Sequence, residues 1–201
     1  MKQTKQLDYW KGEFGNQYIE RNSDTALFEK RKSFFKSLLK RHSDVKSILE
    51  IGCNIGGNLR ILHTLNPSLK LTGIEPNKKA AHRAQQELPF AAIVEKSSLD
   101  ITWQKKFDLV FTCGVLIHIA DNELQETIHT MYNASKKYLL SIEYYARQKE
   151  TILYRGLSDA LFKRPYEQEY LQLYPHLQIL EQGFLDKENG FDASTFWLFG
   201  K

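Results

Sequence analysis

Two carboxylates flank a glycine turn: Glu50-Ile51-Gly52-Cys53-Asn54-Ile55-Gly56-Gly57-Asn58, then Gly73-Ile74-Glu75-Pro76 about twenty residues later. Gly52 and Gly56 carry no Cβ, so the backbone can turn sharply and a ligand can lie against it. A helix starting there aims free N–H groups into the same space. Glu75 closes an apolar run, and an ionised carboxylate there can accept hydrogen bonds from two adjacent hydroxyls, as a ribose presents them. Further along, His118 follows one apolar run and Glu143 ends another, which makes both candidates for taking a proton.

Two nucleotide classes use such a loop. Dinucleotide folds ask for G-x-G-x-x-G, and here Gly52-x-Asn54-x-x-Gly57 lacks the middle glycine on which a close pyrophosphate approach depends. Enzymes that use S-adenosylmethionine (SAM) ask for an acid, any residue, then glycines at alternate positions. Glu50-x-Gly52-x-Asn54-x-Gly56 follows that order, with Asn54 at the middle glycine. An ordinary strand-to-helix turn would not call for Glu75 at the next strand end. The loop therefore favours SAM over a dinucleotide.

The elements that must hold these residues are legible from periodicity. Trp10-x-Gly12-x-Phe14-Gly15-x-x-Tyr18-x-x-Arg21-Asn22 reads as an ordered arm, either packed on the domain or acting as a cofactor lid. In the second case Tyr18 and Arg21 reach the methionine end of SAM. Residues 24–41 place Leu27, Phe28, Phe34, Phe35, Leu38 and Leu39 on one helical stripe, with Ser23 or Asp24 as cap. Strands are expected over Val45–Ile51, Leu69–Glu75, Phe90–Glu95, Phe107–Cys113 and Lys137–Tyr144, with helices between them and Asn77 capping the one before Leu88. Residues 146–175 are irregular, and Leu177–Leu185 with Ser194–Phe199 reads as a closing hairpin. The fold class is α/β: a doubly wound, mostly parallel seven-stranded sheet with a C-terminal antiparallel hairpin. Residues 1–44 form the arm and helix, 45–201 the ligand-binding domain, and 146–176 its substrate-recognition segment.

Composition narrows the function. The 201 residues are 42% hydrophobic and 26% charged, the balance of an ordinary soluble domain. A net charge of +4 does not demand nucleic acid, though an anionic small substrate would suit it. Met1 to Gln6 is polar, without the apolar core of a signal peptide, and no apolar run reaches membrane-spanning length. Cys53 and Cys113 make no disulfide framework and suit a reducing cytoplasm. No histidine or cysteine spacing matches a metal site.

With these residues in place, the chain over roughly residues 40 to 201 resembles the class I SAM-dependent methyltransferases. More narrowly, Phe107-Asp108-Leu109-Val110-Phe111-Thr112-Cys113-Gly114-Val115-Leu116-Ile117-His118-Ile119 is similar to the pseudaminic acid biosynthesis-associated methylases. The Trp10 to Asn22 arm, Glu143-Tyr144-Tyr145, Tyr154-Arg155-Gly156 and Leu161-Phe162-Lys163-Arg164 carry the same resemblance. It implies that Gly52, Asn54 and Gly56 line the methionine portion of SAM and that Pro76 packs beside the adenine. The adenine-contacting pair falls on Ser97 and Ser98, where the family usually has Asp. Thr112 and Cys113 should border the sulfonium.

Methyl transfer from SAM is a direct displacement, helped by alignment and, for a hydroxyl acceptor, by a base. Open α/β sheets bind ligands at the carboxyl ends of their strands, where His118 and Glu143 are expected. The bland roles are a turn histidine bonded to backbone and a strand-end carboxylate paired with Arg147 or Arg155. Tyr144 and Tyr145 should wall the pocket. Arg155, Lys163 and Arg164 could pair with a carboxylate or phosphate, or could form a solvated basic face. The leading expectation is a SAM-dependent methyltransferase, releasing S-adenosylhomocysteine (SAH), that acts on a surface-polysaccharide sugar, nonulosonic acid precursor or sugar nucleotide. RNA methylation, a SAM-binding protein without catalysis and, last, a NAD-dependent enzyme are the alternatives.

Overall fold

The computed structural model describes residues 4–21 and 25–201, and the side chains of all of these except 21 and 25–28. The proposed caps Ser23 and Asp24 and the side chains of Arg21, Leu27 and Phe28 thus lie outside the described residues. Helices α1 (Lys5–Lys11) and α2 (Glu13–Arg21) form the arm, and α3 (Thr25–Arg41) leads into β1 (Ser47–Ile51). Then come α4 (Gly57–Leu65), β2 (Lys70–Ile74), α5 (Lys78–Glu87), β3 (Ala91–Val94), β4 (Phe107–Cys113), α6 (Asp121–Ala134) and β5 (Ser135–Glu143). The chain closes with β6 (Glu150–Tyr154), β7 (Leu157–Lys163), α7 (Tyr166–Leu173), β8 (Gln178–Leu185) and β9 (Ser194–Gly200).

The main sheet has seven strands in the order β3-β2-β1-β4-β5-β9-β8, parallel through β5 and antiparallel for β9 and β8. This is the expected architecture. Strand order reverses between β1 and β4, which opens a crevice at the carboxyl ends of those two strands. Side chains alternate across the sheet because successive Cβ atoms point to opposite faces. Ile48, Phe111 and Leu140 meet Phe35, Leu38, Leu59 and Leu62 on one face. Leu49, Val110 and Leu139 meet Leu124, Ile128 and Met131 on the other. At the far end of β4, the Asp108 carboxylate accepts the backbone N–H groups of Lys46 and Ser47 and the Ser47 hydroxyl, each at 2.9 Å, which pins the entry to β1.

The segment that reads as irregular is ordered. β6 and β7 form a separate two-stranded sheet that turns at Arg155 and Gly156, with φ of 51° and 83°. Two successive left-handed residues make the tight primed turn that matches strand twist. Pro165 then precedes α7, whose Tyr166 and Tyr170, four apart, are both fully buried in the core. Among the described residues, no helix is long and apolar enough to cross a membrane.

Candidate active site

A cavity of about 400 Å³ lies at the carboxyl ends of β1, β2 and β4. Its floor is the loop after β1. Gly52 and Asn54 hold left-handed φ of 70° and 50°, and asparagine is among the few residues with a side chain that tolerate this conformation. This is how Asn54 stands where the pattern has glycine. A Cβ on Gly52 would meet Val115 Cγ2 at 2.6 Å, so the loop and the turn after β4 pack without room for one. Gly56, at φ 76°, is the N-cap of α4, and a Cβ there would come within 2.1 Å of Leu88 Cδ1. It packs against α5's end and is not part of the cavity wall.

The two acids of the turn sit inside. Glu75 is 7% exposed, and its two oxygens accept the Asn54 and Asn77 N–H groups, each at 2.8 Å. Burial pushes its pKa up to about 7, against the pull of those two N–H groups. Glu50 is pushed by burial up to about 8, opposed by its bond from Asn58 and by the nearby Arg31 charge. Asn58 Nδ2 donates to Glu50 Oε1 at 2.7 Å, while Oε2 is buried without a hydrogen-bond partner.

These residues fit an adenosyl amino acid. A carboxylate oxygen has two lone pairs, so each Glu75 oxygen keeps one for a ribose hydroxyl. Glu50 Oε2 is a buried acceptor of the kind an α-ammonium satisfies. Pro76, Ser97 and Ser98 line the same cavity. The Ser97 hydroxyl donates to Asp100 at 2.9 Å and Ser98 shares a 3.0 Å bond with Thr127, so both are oriented by the protein. Cys113 lines the cavity, whereas Thr112 is fully buried and does not.

The arm covers this end. Asn77 caps α5 through its side-chain oxygen, as expected, and its Nδ2 donates to the Trp10 carbonyl at 2.8 Å and to Asn16 Oδ1 at 3.1 Å. Lys5 pairs with Asp159 of β7 at 2.7 Å, so α1 is tied to both ends of the cavity. Tyr18 lines the wall, edge-on to Trp10 at 5.1 Å between ring centroids.

His118 is 7% exposed and faces the cavity between the rings of Trp10 (4.5 Å) and Tyr154 (5.5 Å). Its Nδ1 lies 2.5 Å from the Ala160 carbonyl, which can only accept, so Nδ1 carries the proton and Nε2 the lone pair. Burial lowers its pKa to about 4, keeping the ring neutral.

Several expected site residues lie elsewhere. Glu143 is fully buried and does not line the cavity: its oxygens accept the N–H groups of Val115 (3.3 Å) and Ile117 (3.2 Å). A carboxylate at a buried strand end takes its partners from the nearest unpaired backbone, here the turn that carries His118. Its oxygens thus hold the turn that carries His118 and do not face the cavity. Arg164 is 2% exposed, pairs with Asp121, donates to the Ile119 carbonyl at 2.9 Å and lies over Phe162. Lys163, beside it on β7, and Tyr145, which packs toward Trp197 at 5.9 Å, are also outside the cavity. Tyr144 and Arg155 do line it. The cavity adds Arg31, Asn58, Tyr154, Phe191 and Asp192, which sequence reasoning passed over; Tyr144 donates to Asp192 at 3.0 Å. Among the described residues no cluster suits a metal ion.

Three buried acids make stability depend on pH. Glu50, Glu75 and Glu143, with pKa values raised by burial to about 8, 7 and 7, hold protons in the folded state that the unfolded chain releases near 4.5. Stability from this source is complete at low pH and is lost as pH rises through 7 to 8. His118 acts oppositely, but its window lies between about 4 and its ordinary 6.5. From pH 6.5 to 8 the ligand-free protein is thus expected to lose a few kcal/mol, at about 1.4 kcal/mol per proton per pH unit, read as a falling Tm. A Tm that rises across this interval contradicts the assignment.

Comparison with known proteins agrees with this geometry. Residues 49–137 match the methyltransferase domain family model. An uncharacterised methyltransferase of Alkaliphilus oremlandii is 25% identical over 123 residues, which is 61% of this chain and 57% of that relative. The chain therefore spans little more than half of the curated relative it matches. The SAM-bound magnesium protoporphyrin IX methyltransferase of Synechocystis superposes with a TM-score of 0.75 at 12% identity, over 100% of this chain and 99% of the other. The Burkholderia thailandensis 1,6-didemethyltoxoflavin N1-methyltransferase, with its acceptor and SAH bound, gives 0.73 at 12% identity, over 100% and 92%. Residues 49–137 thus match a methyltransferase domain, and the chain as a whole has the fold of solved SAM-dependent methyltransferases.

Proposed function

We propose that this protein transfers a methyl group from SAM to a hydroxyl of a small polar acceptor, with a surface-polysaccharide sugar or nonulosonic acid precursor as the substrate class. One observation carries the reading: a neutral, buried His118, with its lone pair on Nε2, shares a cavity with the Glu75 and Glu50 carboxylates. When bound, SAM supplies an electrophilic methyl on a sulfonium. The chain supplies the rest. Glu75 binds the ribose hydroxyls, and the loop of Gly52 and Asn54 with Cys113 lies along the methionine portion. His118 Nε2 accepts the proton that the acceptor hydroxyl loses, and Glu143 keeps the turn carrying His118 in place.

The aromatic faces of Trp10, Tyr154 and Phe191 suit the apolar side of a ring, and the phenols of Tyr18 and Tyr144 and the Asp192 carboxylate suit its hydroxyls. Arg155 at the β6–β7 tip offers a guanidinium to a carboxylate or phosphate. Residues 146–176 thus serve as substrate-recognition segment and α1–α2 as lid. The resemblance and the two free cysteines support a cytoplasmic location. Incubation with methyl-labelled SAM and a panel of nonulosonic acids, their nucleotide-activated forms and neutral hexoses tests this. Label is expected in an acidic sugar; label in RNA alone, or in none of the panel while SAM binds, overturns the acceptor class.

A further inference from the structure

Arg31 joins two parts of the cavity from distant regions of the chain. Its Nε donates to the Gly190 carbonyl at 2.7 Å and its Nη1 donates to Asn58 Oδ1 at 3.1 Å. The guanidinium also lies over the Phe191 ring, 4.8 Å from its centroid. Asn58 turns its other end to Glu50, with Nδ2 donating to Oε1 at 2.7 Å. The amide can satisfy both neighbours in one orientation only, because its oxygen must face the donor and its nitrogen the acceptor. Glu50, Asn58, Arg31 and the Gly190 carbonyl therefore form a chain of directed hydrogen bonds. It runs from the methionine end of the cavity to the loop between β8 and β9. That loop carries Phe191 and Asp192, which line the same cavity.

We propose that Arg31 is a positioning residue coupling the two ends of the cavity: a ligand cation held by Glu50 fixes the Asn58–Arg31 chain, which fixes the loop that presents Phe191 and Asp192 to the acceptor. The proposal rests on the SAM reading for the identity of that cation. Phe191 and Asp192 then determine acceptor specificity, and their placement depends on the methionine end being filled. Coupling is reciprocal, so an acceptor held against this loop strengthens SAM binding by the same factor.

Hydrogen exchange by mass spectrometry reads the loop without knowledge of the acceptor. The Phe191 amide, bonded to the Asp186 carbonyl at 2.9 Å, is a reporter within peptide 186–193. In the wild type, SAH or SAM is expected to slow exchange there about 5- to 10-fold, within the usual range of coupling. Arg31→Met keeps the stem but not the donors, and should speed exchange in the ligand-free protein and remove the ligand's effect. Arg31→Lys keeps the charge but not the fork and should restore little protection. Asn58→Ala leaves the bond to Gly190, so basal protection should remain while the ligand's effect is lost. If Arg31→Met does not fold by circular dichroism, Asn58→Ala and Arg31→Lys decide. Unchanged loop exchange in the Arg31 variants, or a ligand effect that survives in Asn58→Ala, overturns the proposal. Absence of SAM and SAH binding by the wild type instead defeats the cofactor reading, while the ligand-free comparison still judges the Arg31 latch.

Discussion

Replacing Glu75 with alanine is expected to raise the dissociation constant for SAM about 100-fold. Two hydrogen bonds from ribose hydroxyls to a carboxylate contribute roughly 1.5 kcal/mol each at the low end, and about 3 kcal/mol is a factor of 100. The same carboxylate also holds the N–H groups of Asn54 and Asn77, so it shapes the loop as well as meeting the ligand. Glu75→Gln keeps one oxygen and should fall between the two, near 10-fold. Because burial raises the Glu75 pKa to about 7, affinity should also weaken as pH drops below that value, when the group takes a proton and loses acceptor sites. Isothermal titration calorimetry of both variants checks this. Unaltered affinity in Glu75→Ala would remove the ribose assignment.

Removing the imidazole of His118 is expected to lower turnover by about 100- to 1,000-fold, the ordinary worth of a positioned base. SAH affinity should stay within about twofold, since the loss falls on proton transfer and not on cofactor binding. His118→Asn is the sharper variant, because its amide can still donate to the Ala160 carbonyl while offering nothing in place of Nε2. The wild-type rate should be insensitive to this group above about pH 5 and should fall only as pH approaches its depressed pKa of about 4. Full turnover by His118→Asn would mean that alignment alone carries the reaction. A rate that instead falls through the ordinary histidine range near 6.5 would show that the ring is not held neutral.

The glycine turn, the acid at Glu75 and the alternation of strands and helices were legible because each is local. A strand, a turn and a helix start leave consecutive marks, and side chains alternate with period 2. What escaped was direction. Glu143 stands at a strand end in both readings, but only the fold shows that its carboxylate turns to the backbone of Val115 and Ile117. Arg164 could by its charge meet a substrate anion or solvent, yet its side chain is buried against Phe162 and pairs with Asp121. Arg31 sits in α3, and its partners lie 27 and 159 positions away, where no periodicity links them. The β6–β7 hairpin was hidden by its turn, since such turns favour Asn-Gly or Asp-Gly and this one places Arg155 in the left-handed position. The methyltransferase domain match over 49–137 covers the glycine turn, Glu75 and His118 and stops before Tyr144, Tyr154, Phe191 and Asp192 of the cavity wall.

The central claim is that the cavity beside Glu75 takes an adenosyl sulfonium compound in preference to a dinucleotide. Thermal unfolding with SAM, SAH and NAD tests it most directly, because a ligand that binds only the folded chain stabilises it by mass action. At 100 times the dissociation constant the gain is about 2.7 kcal/mol, or roughly 5–10 °C for a domain of this size. SAM and SAH should each raise Tm by that amount in the wild type and by far less in Glu75→Ala, with NAD having no effect. A shift with NAD, or none with SAM and SAH at millimolar concentration, would contradict the account.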